Sequence, residues 1–457
     1  MSAETTIAAI ATAPGKAGLA CVRISGPQAL AVADRVFCPA HGAGPLAAMK
    51  GYTARFGHVL RGGRVLDEAV VLVFRAPHSY TGEDAAELTV HGGEAVVREL
   101  LAACYDAGAV PAAAGEFTRR AFLSGRISLT QAEAVMEMIE AGSAEGARAA
   151  AAAMDGALYR KIHAVAETLK ALAGHIAAWV DYPEEDVEAL APEALAATLS
   201  GARSELQRLL DGYEGGSILR RGVQTAIVGS PNVGKSTLLN LMSGYEKAIV
   251  TPVAGTTRDV VEEQIAFGGT ALLLADTAGL RATDDPVEAE GIRRSRKKLA
   301  EANLILAVFD ASQPLSAEDL ALAEQCRGRL AVGIFNKTDL PRRADAGAVA
   351  GCFRKVVWLS AREEGFADSL RAALRELLAA ARPDPDAALL AGERQRAAAA
   401  KAADALAEAQ RAADAGFGLD AVSVCVDDAL DALCELTGEN ASEAVIDEVF
   451  AKFCVGK

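Results

Sequence analysis

The chain has 457 residues, of which about half are apolar, and a formal net charge of −15. That length points to about two to four domains rather than one core. The acidic balance disfavours sequence-independent nucleic-acid binding, and the cysteines lack CxxC spacing, which gives no zinc motif and fits a reducing compartment. Residues 1 to about 120 mix short strands, turns and short helices, with strands expected at Leu19–Ile24 and Ala69–Phe74. From 121 to 215 the composition turns Ala-rich with helical periodicity. Residues 216–380 alternate strands with helices, the pattern of an α/β domain. Phe267-Gly268-Gly269-Thr270 is the expected hairpin turn between its second and third strands. Ala-rich helices return in 381–457. One organisation inserts the α/β domain into a single helical domain; two separate helical segments are the other, and periodicity does not choose between them. The first 30 residues hold no charged segment followed by an apolar core, and no apolar run is long enough to span a membrane. A cytoplasmic chain is therefore expected.

The segment Gly229-Ser230-Pro231-Asn232-Val233-Gly234-Lys235-Ser236-Thr237 matches the phosphate-loop pattern GxxxxGK[ST]. A β-like run, Val223–Val228, leads into it, and a helix-like run from Thr237 to Met242 leads out and stops at Gly244. Backbone N–H groups of such a loop cradle phosphate oxygens at the positive end of a helix. Lys235 would reach the β- and γ-phosphates, and the Ser236 hydroxyl would ligate Mg²⁺.

Asp276-Thr277-Ala278-Gly279 closes the apolar run Ala271–Ala275. Its Asp is placed to hold Mg²⁺ through water, and its Gly N–H to sense a γ-phosphate. Asn336-Lys337-Thr338-Asp339 ends another apolar run; an Asp carboxylate there accepts N1–H and N2–H₂ of guanine, a donor pair that adenine lacks. Ser360-Ala361-Arg362 resembles the last base-contacting loop of GTPases. In this order, at strand ends, these strings point to GTP.

Leu280 stands where Ras-like switches carry the glutamine that orients water. Catalytic help must come from elsewhere. Asn232 is one candidate, as ligand to a monovalent cation beside the phosphates, supported by the loop Thr251-Pro252-Val253-Ala254-Gly255-Thr256-Thr257-Arg258-Asp259. Asn232 reads equally well as a turn residue after Pro231. Thr257 would be the second Mg²⁺ ligand.

These motifs, with others outside the nucleotide domain, resemble the MnmE (TrmE) family of bacterial tRNA modification GTPases over essentially the whole length. The matching blocks are Thr6–Gly15, Arg23–Gly26, Tyr80–Asp84, His91–Gly93, Gly115–Thr118 with Ala121–Leu123, Gln131–Ala134 and Phe453-Cys454-Val455-Gly456-Lys457. The resemblance implies a multidomain α/β protein. Its Ras-like P-loop GTPase domain is inserted into an α-helical domain and preceded by an α+β folate-binding-like domain.

It further implies a homodimer formed through that first domain, and a 5-formyl-tetrahydrofolate site at Arg23, Glu87, Arg126 and Lys457. Lysine is common at the position of Arg126, and either residue keeps the positive charge. K⁺ would bind at Asn232, Thr251, Val253 and Thr256, helping two GTPase domains to meet face to face. The family's catalytic glutamate falls on Glu288, which by itself reads as a helix-start carboxylate; Pro286 departs from the acidic residue common nearby. Cys454 is implied in modification chemistry, although a lone thiol is as easily incidental.

The expected function is K⁺-dependent GTP hydrolysis. With an FAD protein of the MnmG/GidA type, in a heterotetramer or larger complex, it would add an aminomethyl or carboxymethylaminomethyl group to carbon 5 of the tRNA wobble uridine. A ribosome-assembly switch without modification chemistry is one alternative, and a folate-dependent aminomethyltransferase with a regulatory GTPase domain another. Arg119-Arg120, Arg220-Arg221 and the run Arg293–Lys298 are local candidates for tRNA contact, or ordinary solvated charge.

Overall fold

The computed structural model describes residues 5–41, 44–181, 190–245, 263–267, 270–274, 302–363, 365–379, 384 and 386–457. In chain order the elements begin β1 (Ile7–Ile10), β2 (Leu19–Ser25), α1 (Ala29–Val36), β3 (Phe37–Pro39), β4 (Thr53–Arg61), β5 (Arg64–Phe74) and β6 (Ala85–His91). There follow α2 (Glu94–Asp106), β7 (Val110–Pro111), α3 (Glu116–Leu123), α4 (Leu129–Glu140), α5 (Ala144–Met154), α6 (Ala157–Asp181), α7 (Pro192–Asp211) and α8 (Tyr213–Arg221). Next come β8 (Val223–Val228), α9 (Lys235–Tyr245), β9 (Glu263–Phe267), β10 (Thr270–Leu274), β11 (Leu304–Asp310), α10 (Ala317–Cys326), β12 (Ala331–Asn336) and β13 (Lys355–Trp358). The series ends with α11 (Phe366–Ala379), α12 (Glu393–Asp414), α13 (Leu419–Thr437) and α14 (Glu443–Ala451). No helix among the described residues is long and apolar enough to cross a membrane.

Contacts divide the chain into two units, one of residues 1–136 with 434–457 and one of residues 137–433. These limits differ from boundaries at 120 and 380. Leu129 and Val135 of α4 share a core with Ile446, Val449, Phe450 and Phe453, which ties both segments to the first unit.

The first unit is built on a sheet of order β3-β4-β5-β6-β2-β1-β7. β2 alternates: Ala20, Val22 and Ile24 are buried, while Cys21 and Arg23 turn to the other face. That period of two lets one face pack under α1 and α2, with Leu30, Val32, Val97 and Leu100 in the same core. The opposite face keeps polar side chains, and there Arg23 lies in register with Glu87 of β6.

The second unit contains a sheet of order β13-β12-β11-β8-β10-β9, parallel except for the edge strand β9. Every residue of β11 from Leu304 to Phe309 is fully buried, the unbroken apolar run of a strand covered on both sides. The helix after the phosphate loop runs through Gly244 rather than stopping there. β9 and β10 pair antiparallel with Phe267 opposite Thr270, as a hairpin requires; the two glycines between them lie outside the described residues. In the helical part α7 packs along α12. Leu195, Leu199, Ala202, Leu206 and Leu209 form the buried stripe of α7, and α12 buries Ala398, Ala399, Ala402 and Ala403, whose small side chains allow close approach.

Candidate functional sites

The phosphate loop leaves the carboxyl end of β8, the base loop that of β12, and the Ser360 loop follows β13. All three meet at the edge where parallel α/β sheets bind ligands. Gly229 begins the phosphate loop where a Cβ would stand 2.2 Å from the Val308 carbonyl, so only glycine lets it pass β11 this closely. Asn232 takes a left-handed φ of 62° and is exposed. Asparagine is among the residues that tolerate that conformation. Val233 is buried, and Gly234 has φ +100° with no room for a Cβ against the Asn336 amide.

Lys235 donates to the carbonyls of Gly229 and Ser230, both at 2.8 Å. Burial pushes its ammonium below the ordinary lysine value. An ammonium desolvated this way gains most from an anion, which suits a phosphate. Ser236 and Thr237 sit exposed in the first turn of α9, where a hydroxyl can reach a cation on the phosphates.

Asn336 is buried and joins the three loops. Its amide nitrogen donates to Val233 O at 2.9 Å, and its oxygen accepts the Ala361 N–H at 3.0 Å. Lys337 has φ 68° and an ion pair with Asp310 at 2.6 Å. The Ser360 hydroxyl donates to Asp339 Oδ1 at 2.7 Å, and its own oxygen accepts the Arg362 N–H at 3.2 Å. The Asp339 carboxylate stays exposed, with acceptor sites left for a base. Asn232, Val233, Gly234, Lys235, Asn336, Asp339, Ser360 and Ala361 thus lie in one linked set of loops. Thr251, Pro252, Val253, Ala254, Gly255, Thr256, Thr257, Asp276, Thr277, Ala278, Gly279 and Glu288 lie outside the described residues, as do Leu280, Pro286 and the basic run 293–298.

A second constellation sits in the first unit. Arg23 Nε donates to Glu87 Oε1 at 2.8 Å, and its Nη1 to the Gly456 carbonyl at 3.3 Å. The Arg23 and Arg126 guanidinium groups each lie 5.7 Å from the centroid of the Tyr80 ring. Lys457 is held below the ordinary lysine value, by burial first and then by the Arg23 charge, with Glu87 and Cys454 opposing. Arg23 and Arg126 therefore flank one aromatic ring, and Glu87 and Lys457 lie beside Arg23, three cations to one carboxylate, a donor set suited to an anionic ligand with a flat ring. Tyr80 is the member that residue-by-residue reasoning passed over. It lies inside the Tyr80–Asp84 block, and nothing in its spacing marks it. Burial raises its phenol pKa, and it shares a hydrogen bond of 3.0 Å with Thr118.

The segment bearing Lys457 is docked by backbone. Val455 forms a bridge with Ala114, Gly115 N–H donates to Cys454 O at 3.4 Å, and Phe117 N–H to Lys457 O at 3.2 Å. Cys454 itself is exposed.

Two of the three basic candidates for tRNA contact have other partners. Arg120 is 9% exposed and pairs with Glu83 and Glu116; Arg119 pairs with Asp447 at 3.0 Å. Arg220 is buried and donates to Glu137 and to the Leu389 carbonyl, each at 2.8 Å. Arg120 and Arg220 are thus held inside the fold, while the Arg119 pair lies at the surface, its partner Asp447 being exposed.

Comparison with known proteins accords with this geometry. A family model described as GTP-binding protein TrmE N-terminus matches residues 6–126, and one described as MnmE helical domain matches residues 129–454. A protein of Symbiobacterium thermophilum named tRNA modification GTPase MnmE is 44% identical over 459 residues, covering 99% of this chain and 100% of that one. The chain belongs to the MnmE family. Proteins of the same name from Lactococcus lactis subsp. cremoris and Geobacillus kaustophilus are each 40% identical, covering 99% and 100% of this chain and 98% and 100% of theirs. Among solved structures, the G domain of the T. maritima FeoB iron transporter is 22% identical and covers 35% of this chain and 98% of its own, with a TM-score of 0.25. That score is too low to add to the family assignment, and the strand order above describes the nucleotide part by itself.

Proposed function

We propose that this GTPase of the MnmE family couples GTP hydrolysis to modification of the wobble uridine of tRNA. With a flavoprotein partner of the MnmG/GidA type it would install an aminomethyl or carboxymethylaminomethyl group at carbon 5. The observation that carries this reading is the grouping of Glu87 and Lys457 at Arg23, with Arg23 and Arg126 both over the Tyr80 ring, in a chain that also bears the guanine and phosphate loops. A nucleotide switch alone has no use for that cluster. A reduced folate does: its glutamyl carboxylates need cations, its pterin amino group a carboxylate, and its ring a stacking partner. The folate would supply the carbon, and GTP the free energy for opening and closing.

In the nucleotide part Lys235 and the loop amides would hold phosphate, Ser236 and Thr257 Mg²⁺, and Asp339 guanine. Asn232, Thr251, Val253 and Thr256 would hold K⁺, with Glu288 positioning water. The reading includes a GTPase part inserted between two halves of a helical part, a homodimer through the first unit, and a cytoplasmic location.

Titration of 5-formyl-tetrahydrofolate into the purified chain tests it. Binding that weakens tenfold or more in Arg126→Ala supports it; absence of binding by the parent chain removes the basis for folate chemistry and favours the ribosome-assembly alternative. GTP turnover in K⁺ and in Na⁺ at equal ionic strength tests the cation assignment, with selective stimulation by K⁺ expected and expected to vanish in Asn232→Ala.

A further inference from the structure

The two loops that would grip opposite ends of a nucleotide are both tied to one stretch, Asp310-Ala311-Ser312-Gln313-Pro314-Leu315-Ser316-Ala317-Glu318-Asp319, which runs from the last residue of β11 into the first turn of α10. At its start Asp310 pairs with Lys337 of the base loop at 2.6 Å. Asp310 also accepts the Ser312 hydroxyl at 2.6 Å and the Ser312 N–H at 2.9 Å, so its carboxylate cannot swing away. At its end Asp319 Oδ1 accepts the hydroxyl of Ser230, the second residue of the phosphate loop, at 2.7 Å. The other oxygen of Asp319 closes the capping box of α10, accepting Ser316 N–H at 3.0 Å and the Ser316 hydroxyl at 2.9 Å.

Between its ends the segment is also pinned. Ala311 N–H donates to Asn336 O at 2.8 Å, Arg343 N–H donates to Ala311 O at 2.8 Å, and Leu315 packs on the core around Phe309. A carboxylate one hydrogen bond from a phosphate loop opposes anion binding by charge, so what Asp319 offers there is position.

We propose that Asp310 and Asp319 are positioning residues for nucleotide binding. The stretch from the end of β11 into α10 acts as a brace that fixes the phosphate loop, through Ser230, relative to the base loop, through Lys337. Neither carboxylate touches the nucleotide. Each locks a side chain of a loop that does, and affinity for a ligand gripped at both ends depends on the spacing of the grips. A brace acts only while both ends are attached, so cutting either end has nearly the whole effect, and cutting the second adds little. The inference stands apart from the folate and tRNA reading.

The test is titration of a fluorescent GDP analogue into the full-length chain and its variants. Ser230→Ala and Asp310→Asn are each expected to weaken binding about 3- to 10-fold, the size of one ordinary lost hydrogen bond. Ser230→Thr, which keeps the hydroxyl, should stay within about twofold of the parent, and the double variant Ser230→Ala/Asp310→Asn within about twofold of the weaker single one. The far-UV circular dichroism spectrum of Ser230→Ala should match that of the parent, which a general loss of structure would not permit. Affinity of Ser230→Ala within about twofold of the parent overturns the proposal, and so does a double variant showing the full product of the single effects.

Discussion

Gly456→Ala tests the docking of the closing segment and, with it, the second site. Gly456 has φ +99°, and a Cβ there would lie 2.2 Å from the Ile10 carbonyl. Ile10 is paired with Val22 in the sheet, so it has no easy retreat. The backbone conformation alone costs a non-glycine residue about 1–3 kcal/mol, and the contact adds to it. Against this stand three hydrogen bonds to the carbonyls of Cys454, Gly456 and Lys457, worth about 0.5–1.5 kcal/mol each. The two sides are of similar size, so release of the segment becomes the cheapest response.

Release would carry Lys457 away and remove the carbonyl that orients Arg23. Affinity for 5-formyl-tetrahydrofolate should fall at least about tenfold, equivalent to about 1.4 kcal/mol. The Phe117 amide should lose protection from hydrogen exchange, while GTP turnover stays as in the parent. Gly416→Ala is the control, with φ +71° and open space around the new methyl group; it should leave folate binding untouched. A Gly456→Ala chain that keeps both its folate affinity and its Phe117 protection would refute the reasoning.

Arg120→Ala would strip the cation from Glu83 and Glu116, all three being largely buried, and should destabilise the first unit by about 3–5 kcal/mol in chemical denaturation. Arg120→Lys should not restore it, because an ammonium cannot reproduce the guanidinium fork; a loss below about 1 kcal/mol would deny the network its role. Iodoacetamide should modify the exposed Cys38 and Cys454 first. Burial pushes the Cys21 and Cys326 thiols up to about 11 and Cys104 to about 12, so those should react only on unfolding; early labelling of Cys21 by mass spectrometry would contradict this.

The hydrogen bond to Asp67 holds exposed His91 above its ordinary value of 6.5; on Asp67 burial is the largest influence and pushes up, but the bonds from the His91 ring, the His91 N–H and the Glu68 N–H together keep it below the usual carboxylate range. The histidine's share of the stability is therefore complete below pH 6.5 and lost as pH rises through the raised value. The aspartate's share is complete above its ordinary value of 3.8 and lost as pH falls below it. An NMR titration should find His91 returning to its ordinary value in Asp67→Asn, and no change would mean that the pair does not persist in solution.

The nucleotide site was legible because its chemistry is local. A glycine-rich run between a strand and a helix, and an Asn-Lys-x-Asp at a strand end, carry their geometry in a few consecutive residues, and β8, α9 and β12 stand where those strings put them. The bonds that tie the loops together were not legible. Ser230 meets Asp319 across 89 residues and Asn336 meets Val233 across 103, and no periodicity reports a contact of that kind. Paired arginines failed as a guide for the opposite reason. Arg119-Arg120 and Arg220-Arg221 look like surface charge in a string, and only the partners Glu83, Glu116 and Glu137 show Arg120 and Arg220 to be internal pairs. The candidate folate residues came from resemblance rather than from pattern, since Arg23 and Lys457 have nothing in common as strings.

The separation of those two residues has a consequence for folding. Arg23 reaches the Gly456 carbonyl across 433 residues, and the first unit takes in residues 434–457 only after the intervening second unit. The strands β1, β2, β5 and β6 can pair early, because their partners are near in sequence, but Lys457 cannot join them until everything between has been made. Contacts of such range form late and carry a large loop-closure entropy. The core of the first unit therefore has to hold without residues 434–457, while the Arg23 cluster has to wait for them. The β-sheet fits the first demand, with Val22, Ile24, Val71, Val73 and Leu88 fully buried within residues 1–136. Backbone bonds to Gly115 and Phe117 fit the second, because they ask only for strand-like docking onto a surface already formed. On this order of events the second site is the last part of the first unit to form and the first to be lost, so a shortfall in folate binding would precede any shortfall in GTP hydrolysis as the protein is destabilised.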